Sequence, residues 1–447
     1  MSAQTSSKTE KSRKGLQAAR LVYPAAKAYK KEMEEARKNK TNLIAWCGGG
    51  ITSIELLYAF DILPQHIDNM GATFAAKQVS QAFIERAEAE GFNREMCSYY
   101  KTVYGYLLVG NEYPQITDIA WPAPDLLIGS NSVCLTHSRG IRMLQDYFNV
   151  PTFVFDCVTI PSRMDRHSID ENTSYEHSVI GTDYKHGIEK RYIDYLVNQQ
   201  KRLISFLEGV TGKKLDLGKL REVMQLSRRL SELFLELQEL RMAVPCPVGP
   251  ADIMSLIGPT FIWAGSERGI GIYEEAVREA RDKISRKEGV VPEEKHRLFF
   301  ESIPPWYSLG LFNYLQDIYG AVSVIEAYPV EFTYLVDPLN PLESLAEKQL
   351  KYLYNYSPRE RADLYVRMNK EYQVEGLIYW NVICCKIFTM FSSYLKERIE
   401  RENNIPVIVL DADQADPRDY VESVVKSRLD AYMEILRSRK QAGDSQI

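Results

Sequence analysis

Short apolar runs bounded by turn residues alternate with helical patterns along most of the chain. Leu43-Ile44-Ala45-Trp46 reads as a strand that runs into the turn Cys47-Gly48-Gly49-Gly50. Helical patterns follow over about residues 53–63 and 73–91. Asp125-Leu126-Leu127-Ile128 and Thr152-Phe153-Val154-Phe155 read as buried strands, with a helical stretch over 138–148 between them. A strand, a crossover helix and a second strand favour a parallel sheet covered by helices on both faces. The middle of the chain, 187–243, is almost wholly helical in pattern, with Ile193, Leu196, Leu203, Phe206 and Leu207 at helical spacing. Gly209 and Thr211-Gly212 end one helix, Asp216 offers an N-cap to the next over 217–242, and Pro245 and Pro247 stop the run.

The last third alternates again. Arg297-Leu298-Phe299-Phe300, Val322-Ser323-Val324-Ile325, Gly376-Leu377-Ile378-Tyr379-Trp380 and Pro406-Val407-Ile408-Val409-Leu410 are the expected strands. Helices lie between them, including 392–402, and a final helix covers about 420–439. The expected fold class is α/β: two doubly wound, mostly parallel sheets joined by a helical segment. The expected divisions are an extension at 1–40, α/β domains at 41–185 and 256–447, and the helical segment at 186–255. Such sheets bind ligands beyond the carboxyl ends of their strands, so two of them face to face would make a cleft.

Composition narrows the function classes. The chain has 447 residues, 45% of them hydrophobic, which is enough to build cores. Lysines and arginines number 55 against 60 acidic residues, a balance that disfavours nucleic acid as a partner. No run approaches the roughly 20 apolar residues that cross a bilayer, so no membrane span is expected. The polar N-terminus has no secretory pattern. Seven cysteines, an odd and sparse set, are unlike a disulfide framework and fit a cytoplasmic protein with reduced thiols. Charge is uneven: residues 1–40 hold 11 Lys or Arg against 4 Glu. A basic head of this kind meets an anionic partner, or is a solvated, partly helical extension that is mobile or lies on a neighbouring subunit.

Candidate chemistry starts with the cysteines. Cys134 follows the strand at 126–128, Cys384 and Cys385 follow the strand at 377–380, and Cys97 follows a helical stretch. Their spacings, 37 and 251 residues, match no C-x-x-C metal pattern. Taken alone, they are read first as small buried hydrophobes and only then as metal ligands. Cys47, Cys157 and Cys246 are better suited to packing. The glycine turn after Cys47 could present amides to an anion, but it lacks G-x-G-x-x-G or Walker spacing, so any ATP use belongs to another chain. The six histidines form no H-x-x-x-H or H-E-x-x-H pattern. Glu55, in the first turn of its helix, either interacts with the helix dipole or faces the mouth of the cleft as a catalytic carboxylate. Phe60, Trp306, Tyr307, Tyr379 and Trp380 are core or interface residues, or the wall around a flat aromatic substrate.

One ordered set of short stretches covers most of the chain. It runs through Ile54-Glu55-Leu56-Leu57, Leu63-Pro64, Cys97-Ser98-Tyr99 with Gly105, and Pro124-Asp125-Leu126-Leu127 leading to Cys134. It continues through Asn149-Val150-Pro151 to Asp156, Thr211-Gly212-Lys213-Lys214-Leu215, and Gly376-Leu377-Ile378 leading to Cys385. Ile405-Pro406-Val407 with Asp413, and Arg428 through Leu436, complete it. In this order the set resembles the benzoyl-CoA reductase and 2-hydroxyacyl-CoA dehydratase family. The resemblance implies a [4Fe–4S] cluster held by three cysteines between two α/β domains. Residue by residue these are Cys97, Cys134 and Cys385, with Cys384 competing for the third place. Three thiolates would leave one iron open to a substrate oxygen. In some relatives a sulfide joins two cubanes into a double-cubane cluster, which the sequence leaves open.

The resemblance also implies an acyl-CoA substrate, a homologous cluster-binding subunit, iron–sulfur ATPase activator subunits that use the ATP, and reduced ferredoxin as electron source. The cluster would pass an electron to the thioester, giving a ketyl-type radical anion. Two outcomes share these cysteines: dearomatisation of benzoyl-CoA, or expulsion of water from a 2-hydroxyacyl-CoA. Many dehydratase subunits carry Ala-Gly where this chain has Phe60-Asp61. That difference and the long basic extension favour the larger cluster-binding subunit of an ATP-dependent benzoyl-CoA reductase. In it Glu55 would make a polar contact, and Trp306, Tyr307 and Trp380 would wall the substrate. A third reading is a subunit that packs or relays electrons while its partner does the chemistry.

Overall fold

The computed structural model describes residues 10–49, 53–113, 116, 120–158, 190–330 and 333–444. The expected domain boundary at 185/186 lies outside them, as do Gly50, His167, His177 and His186. Among the described residues, eight strands form two sheets. In the first, β1 (Ile44–Cys47), β2 (Leu63–His66), β3 (Leu126–Ser130) and β4 (Thr152–Phe155) run parallel in the order β2-β1-β3-β4. In the second, β5 (His296–Glu301), β6 (Ala321–Glu326), β7 (Gly376–Val382) and β8 (Val407–Ala412) repeat the pattern as β6-β5-β7-β8, again all parallel. The chain steps outward from the first strand of each sheet and then returns to that strand's other side. This places a topological switch point between β1 and β3 and another between β5 and β7, the positions at which such sheets take ligands.

The α/β expectation holds, with one strand that the pattern does not show. β2 falls where the pattern predicts the end of a helix, which instead stops at Ala59. Leu-Pro-Gln-His neither alternates nor is rich in β-branched residues, and Pro64 lacks an amide proton. Pro64 is tolerated because β2 is an edge strand. The expected helix over 73–91 is two helices, Ile67–Ala76 and Ser80–Ala89. No helix among the described residues is long and apolar enough to cross a membrane.

Burial follows the strand period. Leu298, Phe300, Ile378 and Trp380 face the larger core, which they share with the first sheet. Phe299, Leu377 and Tyr379 face a second core on the other side of the second sheet. The long helices Lys190–Thr211 and Leu217–Leu240 occupy the middle of the chain as expected. Asp216 caps the latter by accepting from the amides of Gly218 and Lys219 at 2.7 and 3.2 Å. Arg241, just past that helix, reaches β6 and meets both carboxylate oxygens of Glu326 at 2.7 and 2.9 Å, fully buried.

Within the basic N-terminal segment, residues 17–39 pack on the rest of the fold. Helix Gln17–Asn39 buries Ala18, Ala19, Tyr29, Met33 and Ala36 and lies against helices Pro250–Ile262 and Ile270–Ser285. Its first amides have no partners within the helix. Glu279 accepts from Gln17 and Ala18 at 2.8 Å, and Asp252 accepts from Leu16 at 3.0 Å. Two carboxylates at a positive helix end also suit the helix dipole.

Candidate functional site

Each of the three cysteines singled out by the resemblance opens a helix. Cys97 is the N-cap of Ser98–Val109, Cys134 of Leu135–Phe148, and Cys385 of the short Lys386–Thr389. The latter two helices start where β3 and β7 end. Glycines let the Cys97 and Cys134 helices approach closely. A Cβ on Gly140 would lie 2.1 Å from the Tyr100 ring, and one on Gly105 would lie 1.8 Å from the carbonyl oxygen of Phe83. Any side chain there would push the Cys97 helix away from its neighbours. Lys101 fixes the same helix further: its buried ammonium donates to Glu88 and to the Arg94 carbonyl at 2.7 and 2.6 Å. Glu88 in turn takes both ends of Arg418, from beyond β8, at 2.8 and 2.7 Å. Arg418, then Lys101, hold the Glu88 carboxyl down at about 2 against the effect of burial.

Cys97, Cys134, Cys384 and Cys385 all line one cavity of about 210 Å³. Segments beyond β2 (Asp68), β3 (Val133 to His137), β5 (Ile303), β7 (Cys384 to Phe388) and β8 (Gln414) form its walls, with Tyr99, Phe261 and Tyr328. Segments beyond the carboxyl ends of both sheets therefore face one space. Three of the four thiols are half-buried, while Cys384 is buried. Cys384 lies 3.4 Å from Gln414 Oε1 and 3.8 Å from Ser98 Oγ, and Gln414 Nε2 lies 3.9 Å from the Cys97 sulfur.

Electrostatics separates the thiols. Burial pushes Cys134 up, but the adjacent His137 outweighs it and brings the thiol down to about 7. The same attraction, with that of Asp68, raises His137 to about 9 in spite of its burial. Asp68 Oδ1 stands 3.8 Å and Tyr100 OH 3.2 Å from His137 Nδ1. Cys384 is raised by its hydrogen bond to Cys97 and by burial, and Cys385 by burial foremost. No group of three His, Cys, Asp or Glu side chains among the described residues is arranged to hold a metal ion.

A second cavity, of about 330 Å³, adjoins the first and shares Asp68, Phe261 and Tyr328 with it. Trp306 lines this outer cavity, and its indole nitrogen donates to Tyr99 OH on the wall of the inner one. The other expected wall residues line neither cavity. Trp380 is buried in the larger core against Phe300 and Tyr420, on the inward face of β7. Tyr307 turns its hydroxyl to the Asp413 carbonyl at 2.9 Å. Glu55 also lines neither: it is fully buried, accepting from Lys348 Nζ at 2.7 Å and Ser227 Oγ at 2.8 Å. Phe60 is buried, and Asp61 takes a left-handed backbone (φ 60°) with Lys213 and Lys219 on its carboxylate. Glycine favours that conformation and aspartate tolerates it, so Asp61 marks a local turn rather than a site.

The cysteines assigned to packing behave as such. Cys47 is buried in β1, Cys246 donates to the Val248 carbonyl at 3.3 Å, and burial pushes Cys157 up to about 12. Sequence pattern does not single out Asp68, Tyr99, Phe261, Tyr328 or Gln414 as cavity residues, nor His137. Only His137 carries a signal, in the spacing Cys134-Leu135-Thr136-His137. Asp68 follows β2, the strand without a pattern of its own.

Glu301 ends β5 just before the cavity wall. Burial pushes its carboxyl up to about 7, against the Arg361 cation and a 2.7 Å hydrogen bond from Tyr365 OH. Folded protein thus keeps this proton above the ordinary value of 4.5, and unfolding releases it. Stability from this source is complete below pH about 4.5 and falls by about 3 kcal/mol as pH rises to about 7. Glu301→Gln should remove that fall. Denaturant unfolding of both proteins at pH 5 and pH 8 measures it, and an unchanged difference in the variant would refute the assignment.

Residues 51–436 match the model of the family described as 2-hydroxyglutaryl-CoA dehydratase, D-component. Among curated proteins, a benzoyl-CoA reductase subunit of Thauera aromatica is 27% identical over 406 residues, 88% of each chain. The alpha subunit of (R)-2-hydroxyisocaproyl-CoA dehydratase from Clostridioides difficile is 24% identical over 88% of this chain and 90% of its own. The alpha subunit of (R)-phenyllactyl-CoA dehydratase from Clostridium sporogenes is 25% identical over 91% and 92%.

Proposed function

This chain belongs to the 2-hydroxyglutaryl-CoA dehydratase D-component family, and from that premise we propose that it is the iron–sulfur subunit of an ATP-dependent benzoyl-CoA reductase. The reaction adds two electrons and two protons to the aromatic ring and yields a cyclohexadiene-carboxyl-CoA. One observation carries the reading: Cys97, Cys134 and Cys385 come from three separate helix starts to a single cavity. The donor set fits an iron–sulfur cluster. Thiolates are its usual ligands, and a cluster needs them spread around its own volume rather than converging on one point. Cys385 shares the cap position of the other two, and Cys384 does not.

When bound, the cluster supplies electrons of low potential to the thioester. The chain's own residues shape where this happens. Phe261, Ile303, Tyr328 and Phe388 make an apolar wall that keeps the cavity water-poor and strengthens charge interactions inside it. Their rings suit a flat acyl group. Asp68 and His137, on the same wall, pair across 3.8 Å, and the carboxylate helps to keep a proton on the imidazole. In this reading a homologous subunit, an iron–sulfur ATPase and reduced ferredoxin complete the system, since this sequence carries no phosphate-loop pattern.

The dehydratase alpha subunits among the relatives support a second reading, a 2-hydroxyacyl-CoA dehydratase subunit. Phe60-Asp61 does not decide between the two, because neither residue lines either of the two cavities described above. The decisive test is anaerobic incubation of the assembled enzyme with ATP and a strong reductant, using benzoyl-CoA and, separately, phenyllactyl-CoA. Mass analysis should show a gain of two hydrogens on the benzoyl ester. Loss of water from the phenyllactyl ester with the benzoyl ester untouched would replace the reductase by the dehydratase.

A further inference from the structure

The loop after β8 carries no role in the reading above, yet it places one polar side chain among the thiols. Gln414 is buried and lines the inner cavity. Its amide stands between two sulfurs. Nε2 donates to Cys97 Sγ at 3.9 Å, and Oε1 accepts from Cys384 Sγ at 3.4 Å. The two ends of an amide differ: the carbonyl oxygen only accepts and the nitrogen only donates. A thiol proton on Oε1 therefore turns the N–H toward the other sulfur. Cys384 also reaches the Cys97 sulfur itself, so its proton serves either the amide or that sulfur.

The backbone that carries Gln414 is tied down at each residue. Asp413 Oδ1 accepts from the amides of Ala415 and Asp416 at 2.8 and 2.9 Å, which closes a tight turn. Three consecutive carbonyls are held from outside the loop. Tyr307 OH donates to that of Asp413 at 2.9 Å, the Trp306 amide to that of Gln414 at 3.2 Å, and Ser80 Oγ to that of Ala415 at 2.6 Å. A side chain on a backbone held this way has little freedom to leave the sulfurs.

A sulfur that accepts a hydrogen bond carries added negative charge more easily. Hydrogen bonds to the ligand sulfurs are among the levers that set the potential of an iron–sulfur cluster. Groups that touch only a metal's ligands tune the metal through them, and the effect grows where water is excluded. We propose that Gln414 is a positioning residue for the cluster: its amide N–H donates to the Cys97 sulfur and raises the reduction potential, and Cys384 keeps the amide in that orientation. This rests on the iron–sulfur reading above and adds to it the residues that set how reducing the cluster is. It also gives Cys384 a task other than ligation.

The test is a redox titration of the assembled, anaerobically purified protein, followed by electron paramagnetic resonance of the reduced cluster. It compares the wild type with Gln414→Leu, Gln414→Glu, Cys384→Ser and Cys384→Ala. Leucine removes both ends of the amide, and glutamate, when ionised, keeps the shape without the donor. Both should lower the midpoint by the equivalent of about a tenfold shift in the one-electron equilibrium, about 59 mV. Cys384→Ser keeps a proton for Oε1 and should stay near the wild type, whereas Cys384→Ala frees the amide and should lower the midpoint as well. A cluster on the homologous subunit is untouched by these changes and serves as the internal reference. An unmoved midpoint in both Gln414 variants would overturn the proposal. So would loss of iron from both, which would make the amide a requirement for assembly rather than a setting of potential. Loss of iron from both Cys384 variants would make Cys384 a ligand and end its orienting role. A wild-type protein that binds no iron would bring down the iron–sulfur reading itself, and this proposal with it.

Discussion

Serine in place of Cys97, Cys134 or Cys385 should strip iron and acid-labile sulfide from the assembled protein. A serine hydroxyl keeps the shape of the thiol but does not ionise to a soft ligand near neutral pH, so it cannot replace thiolate on iron. Changes to residues that merely hydrogen-bond a metal's ligands already cost roughly 10–100-fold in affinity, and loss of a direct ligand should cost at least that. The structure supplies internal controls. Cys47 is enclosed in β1, Cys157 is pushed up to about 12 by burial, and Cys246 is tied to a backbone carbonyl, so serine at these positions should leave the iron content unchanged. Iron and sulfide are measured chemically on anaerobically purified protein. Normal iron in the Cys97→Ser or Cys134→Ser protein would defeat the assignment. If Cys384→Ser removed iron and Cys385→Ser did not, the two neighbours would exchange roles.

Glu55 gives the second large effect, on stability rather than on chemistry. Its carboxylate is fully buried between Lys348 and Ser227, and so joins helix Ile54–Ala59 to helices Leu217–Leu240 and Pro341–Leu350. Removing one partner of a buried pair leaves the other charge without compensation, at a cost of about 3–5 kcal/mol. Glu55→Leu and Lys348→Met should each lower stability by that amount. The double variant Glu55→Leu/Lys348→Met should recover much of the loss, because both charges are then gone. Denaturant unfolding of the three variants completes the cycle. A Glu55→Gln protein with full stability, full iron content and no turnover would return Glu55 to the chemistry.

Particular elements show what is legible without the fold. β3, β4, β5, β6, β7 and β8 lie within one to two residues of their expected positions, because each is a short apolar run between turn residues. β2 has no such signature, since an edge strand needs little hydrophobic pattern and can carry a proline. The N-terminal helix has the pattern of a solvated extension because charged residues crowd its second half. Its buried face, with Ala18, Tyr29 and Met33, is too sparse to stand out among them. Trp380, one of the aromatic residues of the expected cleft, is expected on a cavity wall. Strand alternation turns it inward instead, and no local signal says which side of β7 the cavity occupies.

Periodicity, and short stretches in a fixed order, suffice for the α/β class, both parallel sheets, the helical middle and the family. They also mark the cysteines that follow the strands. Which groups share a space is a property of the assembled fold. Asp68, His137, Tyr328 and Gln414 reach the same cavity as Cys97 and Cys385 from positions up to 346 residues apart in the chain. The fold likewise commits Glu55 to an ion pair and sets basic residues near the N-terminus along a cavity leading to the thiols. The reason is geometric. Local pattern fixes which way a side chain points from its own helix or strand. What it meets there depends on another element, brought alongside by the crossovers of the two sheets.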